Sequence, residues 1–193
     1  SIGSNNYGIR VTAVDPIRLH NSIIARNTFD GILDDYPAAA GTCLIYNCTV
    51  ANNGRNGFYV SQLGGDLVPV AKNSLFTGNK GYGIRTGAGT AGASIQNCLF
   101  YANTNGSTYT AGGFSDLGGC KSGRDPLYVD PANNNFRIQA DSPAAEAGAT
   151  LTAYGVTNDI TGLSRPQGAW DMGAYETNGV GEGPLTNSAY VST

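Results

Sequence analysis

Short apolar runs separated by polar corners recur along the first half of the chain. Four segments align: Asn21-Ser-Ile-Ile-Ala-Arg-Asn27, Asn47-Cys-Thr-Val-Ala-Asn-Asn53, Asn73-Ser-Leu-Phe-Thr-Gly-Asn79 and Asn97-Cys-Leu-Phe-Tyr-Ala-Asn103. Their starting asparagines are 26, 26 and 24 residues apart. A second phrase keeps the interval: Gly31-Ile32, Gly57-Phe58 and Gly83-Ile84. Asn6-Tyr7-Gly8-Ile9-Arg10 echoes Gly81-Tyr82-Gly83-Ile84-Arg85, which places an earlier unit near the start. A strand rises about 3.3 Å per residue, so one unit of strand and turn closes a circuit of three short sides. Circuits stacked about 4.8 Å apart pair each strand with the strand one turn later.

Columns follow from that register. Ile24, Val50, Phe76 and Phe100 form one inward column, and Ile9, Ile32, Phe58 and Ile84 another. Asn27, Asn53, Asn79 and Asn103 are expected at a corner, where Asn tolerates the left-handed region and stacked amides bond from rung to rung. Glycine at the next corner would permit a positive φ. A leucine-rich repeat needs several leucines per unit, and these units carry one or none at the matching positions. Gly and Asn in every unit oppose an α-solenoid. A jelly roll or sandwich of short strands is the remaining competitor.

The repeat resembles the right-handed parallel β-helix group, the pectate-lyase-like fold with degenerate Asn/Gly-rich units. Two downstream segments extend the likeness. Asp125-Pro-Leu-Tyr-Val-Asp-Pro-Ala-Asn-Asn-Asn-Phe-Arg-Ile-Gln-Ala-Asp-Ser-Pro-Ala144 is similar to the closing rung of secreted and viral β-helix proteins. Asp159-Ile-Thr-Gly-Leu-Ser-Arg-Pro-Gln-Gly-Ala-Trp-Asp-Met-Gly-Ala-Tyr-Glu176 is similar to their cap. The resemblance spans residues 5–176 and implies an all-β, single-stranded right-handed parallel β-helix. It speaks to fold more than to function, because such endings occur on enzymes, adhesins and virion proteins alike.

Three regions are expected. Residues 1–140 form the parallel β-helix, about six to seven short rungs by strand length. Residues 111–124 read as a Gly-rich excursion from it. Residues 141–176 form the C-terminal cap, with Trp170, Met172 and Tyr175 over the final rung to cover its bare strand edges. Residues 177–193 form an extended or disordered tail. The chain opens on Ser-Ile-Gly rather than Met. It is read as a processed product or an excerpt whose first rung meets another domain or chain.

Composition sharpens this picture. The 193 residues include 28 Gly and 19 Asn, which the repeat turns into corner residues. Eleven basic against 14 acidic residues give a net charge of −3, which excludes a basic nucleic-acid surface. Hydrophobic residues make up 40%, too many for a disordered chain. No apolar run is long enough to span a membrane as a helix.

Candidate chemistry is sparse. The resemblance implies that a polysaccharide lyase would hold calcium with carboxylates on adjacent rungs and use a Lys or Arg base. Stepping 26 residues from Asp15, Asp30, Asp34 and Asp35 reaches Gly41, Asn56, Val60 and Ser61, so no acid column forms. A glycosidase would need two carboxylates facing across a groove; Asp15, Asp30, Asp34, Asp35 and Asp66 are the candidates, and sequence does not pair them. The single histidine, His20, shares an outward column with Tyr46, Lys72 and Gln96 and lacks a nucleophile partner. Cys48 and Cys98 lie two rungs apart on an inward column, about 9–10 Å, too far for a disulfide. Cys43 is also inward, and Cys120, in the Gly-rich stretch, is the most free to pair or react. With no CxxC and no Cys/His cluster, neither a metal nor a cofactor is indicated.

The outward column Arg10, Leu33, Tyr59 and Arg85, with Tyr46 on a neighbouring one, offers aromatic and guanidinium groups to a saccharide. The reading is a non-catalytic extracellular structural or interaction module, such as a virion decoration or spike protein or a surface adhesin, placed at a cell or virion surface. Its expected partners are other protein chains, at the N-terminal rung and through the tail, and a cell-surface polysaccharide. The alternative is a fragment of a polysaccharide lyase or glycoside hydrolase.

Overall fold

A computed structural model describes residues 3, 5–11, 17–35, 41–61, 67–87, 92–110, 113–166 and 169–177. Strands come in threes along the chain. Rung one holds β1 (Ile9–Val11), β2 (Ile17–His20) and β3 (Ile23–Ala25); rung two holds β4 (Ile32–Asp34), β5 (Gly41–Tyr46) and β6 (Thr49–Ala51). Rung three holds β7 (Phe58–Val60), β8 (Leu67–Lys72) and β9 (Leu75–Thr77); rung four holds β10 (Tyr82–Thr86), β11 (Ser94–Gln96) and β12 (Leu99–Tyr101). Rung five holds β13 (Gly106–Tyr109), β14 (Ser115–Asp116) and β15 (Lys121–Ser122). Each strand pairs in parallel with its counterpart one rung away, giving three five-stranded sheets: first β1-β4-β7-β10-β13, second β2-β5-β8-β11-β14, third β3-β6-β9-β12-β15. This is the expected parallel β-helix, and among the described residues there is no α-helix.

The interior columns have the expected register. Ile9, Ile32, Phe58 and Ile84 are successive partners in the first sheet. Ile24, Val50, Phe76 and Phe100 are partners in the third. Ile24, Ile32, Val50, Phe58, Phe76 and Ile84 are wholly buried. Phe76 and Phe100 stack with ring centroids 5.4 Å apart. Burying each such side chain stabilises the stack by about 1.5–3 kcal/mol.

The asparagine ladder is present, with Asn27, Asn53 and Asn79 buried and Asn103 partly so. Asn27 Nδ2 donates to Asn53 Oδ1, Asn53 Nδ2 to Asn79 Oδ1 and Asn79 Nδ2 to Asn103 Oδ1, each at 2.9 Å. Its backbone differs from expectation. The left-handed residues are Asn21, Asn47, Asn73 and Asn97, with φ of 48–49°, and the residues just before the ladder, Arg26, Asn52, Gly78 and Ala102. The glycine column also differs. Gly8, Gly31, Gly57 and Gly83 are not among the positive-φ glycines. They are required by close approach, because a Cβ at Gly57 would lie 2.5 Å from the Gly83 carbonyl oxygen.

The Gly-rich stretch is not an excursion. β14 and β15 pair in parallel with β11 and β12 and complete the fifth rung. Gly119, at φ 73°, occupies the corner that asparagine fills below. The coil is also shorter than six or seven rungs, because the chain leaves it after Ser122. β16 (Tyr128–Asp130) and β17 (Asn135–Ile138) form an antiparallel hairpin instead of a closing rung.

The C-terminal segment folds back along the side of the stack rather than over its top. The cause lies in the outward residues of the third sheet: Ile23, Ala25, Ala51, Leu75 and Leu99 are apolar and at most 5% exposed. Tyr175 and Phe136 pack on Ile23, Ala25 and Ala51. Met172 and Ile138 pack on Leu75 and Leu99. Trp170, with Leu151 and Val156, covers Tyr46. At the hairpin tip Arg26 Nη2 donates to the Ala132 carbonyl, 2.8 Å, so this segment reaches back to rung one. The corner asparagines anchor it. Asn47 Nδ2 donates to the Asp171 carbonyl (3.1 Å) and Asn97 Nδ2 to the Ala147 carbonyl (2.9 Å). Asn73 donates to the Ala149 carbonyl and accepts from its amide.

A charged knot closes the cap. Buried Arg165 donates to Glu176 Oε2 (2.9 Å), to the Gly173 carbonyl (3.1 Å) and to Asn21 Oδ1 (3.1 Å). Asp171 N donates to Glu176 Oε1, and Glu176 N to Asp159 Oδ2. Burial works against both charges, lowering the Arg165 pKa and raising that of Glu176 to about 7; the pair recovers only part of this. Residues 178–193, including nearly all of the expected tail, lie outside the described residues.

Candidate functional site

The hairpin and cap cover the third sheet and its corner with the second. The outward face of the first sheet is a different surface, and its central column is Arg10, Leu33, Tyr59, Arg85 and Tyr109. Strand alternation turns these side chains out while Ile9, Ile32, Phe58 and Ile84 turn in; Leu33 is nevertheless covered, at 5% exposed.

Arg85 lies between two rings, its guanidinium carbon 4.9 Å from the Tyr59 centroid and 5.8 Å from that of Tyr109. Tyr82 stands beside Tyr109, centroids 5.3 Å apart. Lower on the same side, Arg55 sits 4.3 Å over the Phe29 ring, and Tyr7 lies 5.3 Å from Phe29. Stacking fixes these guanidinium planes and contributes about 0.5–1 kcal/mol per exposed pair. Tyr109 is 48% exposed at the top of the column. Arg10 makes a two-point pair with Asp35, Nε to Oδ1 at 3.0 Å and Nη2 to Oδ2 at 2.8 Å. The hydrogen bond and charge of Asp35 raise the Arg10 pKa further. The face therefore presents ring surfaces and oriented N–H donors, groups suited to hydroxyl- or carboxylate-bearing ligands.

The structure brings Arg10, Tyr59 and Arg85 onto one column and separates Tyr46 from them. Tyr46 is 5% exposed, packed under the cap with its ring 5.2 Å from that of Tyr154. His20 is exposed on the same column as Tyr46. Tyr82 and Tyr109 were missed in the sequence; stepping the local 24-residue interval from Arg85 reaches Tyr109. Asp30 and Asp34 are buried. Asp30 Oδ1 accepts from the Asn56 amide and side chain, 2.9 and 2.8 Å. Asp15 and Asp66 lie outside the described residues. Among the described residues no three His, Cys, Asp or Glu side chains gather as metal ligands. No helix there is long and apolar enough to cross a membrane.

A concavity of about 450 Å3 opens between the third sheet and the hairpin, beside Asn52, Tyr101, Asp125, Leu127 and Gln139. Part of its polar lining is already engaged: the Tyr128 hydroxyl bonds Thr77 Oγ1 at 3.0 Å, and Asp125 Oδ1 accepts from Leu127 N.

The family model for the right handed beta helix region matches residues 1–121, the stretch that forms all but the last residue of the parallel strands. The chain belongs to the right-handed β-helix family. No curated protein and no solved structure matches it. In this β-helix the matched region carries the Tyr/Arg face, and the segment that covers the third sheet follows it.

Proposed function

We propose that this β-helix is a non-catalytic interaction module that binds saccharide on the outer face of its first sheet. The observation that carries the reading is the stacked Tyr59, Arg85 and Tyr109 column. Sugar rings lie flat on exposed aromatic faces, and fixed guanidinium groups donate to hydroxyls and carboxylates. The nearby carboxylates support a binding rather than a cleaving role: Asp35 is held by Arg10, and Asp30 is tied into the rung stack. The setting proposed is extracellular, on a cell or virion surface, as in a decoration protein, spike or adhesin. Other protein chains would contact the N-terminal rung and residues 177–193.

Calorimetric titration with acidic and neutral polysaccharides tests this. The wild-type chain is expected to bind and release no product, with or without calcium. Tyr59→Ala with Tyr109→Ala is expected to weaken binding at least tenfold, about 1.4 kcal/mol. Release of unsaturated ends or new reducing ends, abolished by Asp15→Asn or Asp35→Asn, would replace this reading with the lyase or hydrolase one.

A further inference from the structure

A column of small side chains runs just inside the corner between the second and third sheets. Cys48, Ser74, Cys98 and Cys120 stack there, one per rung. Each lower member offers its backbone amide to the side chain above: Cys48 N to Ser74 Oγ at 3.2 Å, and Cys98 N to Cys120 Sγ at 3.5 Å. The side chains of Cys48, Ser74 and Cys98 also donate to the carbonyl two residues back, as in Cys98 Sγ to the Gln96 carbonyl, 3.4 Å. Ser74 separates Cys48 from Cys98, and Cys43 belongs to the column of Ile17 and Pro69. Only in the top two rungs do two thiols become direct neighbours. The residues that follow them, Leu99 and Lys121, are parallel partners in register. Adjacent strands lie about 4.8 Å apart, and a disulfide spans Cα separations of about 4.4–6.8 Å.

We propose that Cys98 and Cys120 form a reversible dithiol–disulfide site that staples the fifth rung to the fourth. The oxidant class is a small soluble disulfide such as oxidised glutathione. The Cys120 thiolate attacks one sulfur of the oxidant, forming a mixed disulfide and releasing one glutathione thiolate, which takes up the Cys120 proton. The Cys98 thiol gives its proton to a solvent base, and its sulfur attacks the Cys120 sulfur. The second glutathione leaves as a thiolate and is protonated. Two protein thiols lose two electrons, and one oxidant becomes two thiols.

Cys98 is wholly buried, whereas Cys120 is partly exposed on the top rung. The neighbouring Cys98 lowers the Cys120 pKa, whereas burial first, and then the nearby Cys120, raise that of Cys98. Cys120 is thus the attacking sulfur and Cys98 the resolving one. The fifth rung is where a staple has most effect, because β14 and β15 have two residues each and lie at the end of their sheets.

The full chain is incubated with oxidised glutathione under native conditions, alkylated, and mapped after trypsin. The expected product is peptide 86–121 lighter by two hydrogens, with Cys98 and Cys120 alkylated only after reduction. Cys43 and Cys48 should become alkylated once the chain is denatured without reduction. Oxidation should slow native tryptic cleavage after Lys121 and Arg124. Cys98→Ser should trap one glutathione on Cys120, and Cys48→Ser should leave the staple unchanged. A stable glutathione adduct on wild-type Cys120, or both thiols still free to alkylate, would overturn the proposal; the wild-type map decides the matter even if a variant fails to fold.

Discussion

Replacing Asn53 with alanine tests whether the buried ladder holds the rungs together. Asn53 is wholly buried. Its Oδ1 accepts from Asn27 N at 3.1 Å and Asn27 Nδ2 at 2.9 Å. Its Nδ2 donates to the Ile24 carbonyl at 3.2 Å and to Asn79 Oδ1 at 2.9 Å. Asn53→Ala removes all four bonds. At about 0.5–1.5 kcal/mol net per bond the loss lies between about 2 and 6 kcal/mol. A water admitted to the vacated polar space restores part of it, so the expected destabilisation is about 3 kcal/mol. For a chain of this size that lowers the thermal midpoint by about 6–12 °C. Urea unfolding followed by circular dichroism measures the free energy, and calorimetry the midpoint. Asn53→Asp sharpens the test, since it keeps the shape and acceptor but loses the donor toward Asn79 Oδ1 and Ile24 O. It should destabilise at least as much at pH 8 and less at pH 4, where a protonated carboxyl can donate once. Exposed Asn105→Ala serves as the control, within about 0.5 kcal/mol of wild type. If Asn53→Ala also stays within 0.5 kcal/mol, or Asn53→Asp matches wild type at pH 8, the ladder does not hold the stack.

Two further outcomes are expected. Gly57→Ala should cost about 1–3 kcal/mol by urea unfolding, because its Cβ would press on the Gly83 carbonyl oxygen at 2.5 Å and on Asn79 Nδ2 at 3.0 Å; a neutral substitution would show that adjacent rungs can separate there. The cap should be more stable in mild acid than in mild base. Burial raises the Glu176 pKa from 4.5 to about 7, so between those values the folded chain holds a proton that the unfolded chain releases. That contribution is full below about pH 4.5 and is lost as pH rises through about 7. Amide exchange of Trp170–Glu176 should therefore be better protected at pH 5 than at pH 8, after correction for intrinsic rates, and Glu176→Gln should flatten the difference. An unchanged profile in that variant would assign the pH dependence to another group.

Residue type repeated at a fixed step made the interior legible. Ile9, Ile32, Phe58 and Ile84 name their own register, and so do the ladder asparagines. The corner conformation was harder, because Arg26, Asn52, Gly78 and Ala102 share a left-handed backbone without sharing chemistry. The fifth rung was hidden for a related reason: Gly119 replaces the corner asparagine, and Ser115-Asp116 and Lys121-Ser122 carry no apolar signal. The side-mounted cap had left a mark in the sequence. Leu75-Phe76 and Leu99-Phe100 place apolar residues on consecutive positions, the pattern of strands buried on both faces. Of the candidate ligand-contacting residues, Arg10, Tyr59 and Arg85 followed from strand alternation. Tyr46 keeps its outward register but is not free, because what covers it comes from Leu151, Val156 and Trp170, more than 100 residues downstream.

Each asparagine-bearing rung uses two asparagines, and they do opposite work. The one that closes each repeat turns inward and bonds the next rung, so it sets the stacking of the coil. The one that opens each repeat turns at the corner, and Asn21, Asn47, Asn73 and Asn97 hold the backbone of the returning C-terminal segment. A left-handed backbone at these corners points the amide outward, where it acts as a donor at regular spacing along the stack. The returning segment is therefore docked by polar bonds along one edge and by Ile23, Leu75 and Leu99 on the adjoining face. This two-sided anchorage commits the third sheet and its corner to stability. It leaves the Tyr and Arg column of the first sheet as the face where side-chain chemistry is not consumed by holding the cap.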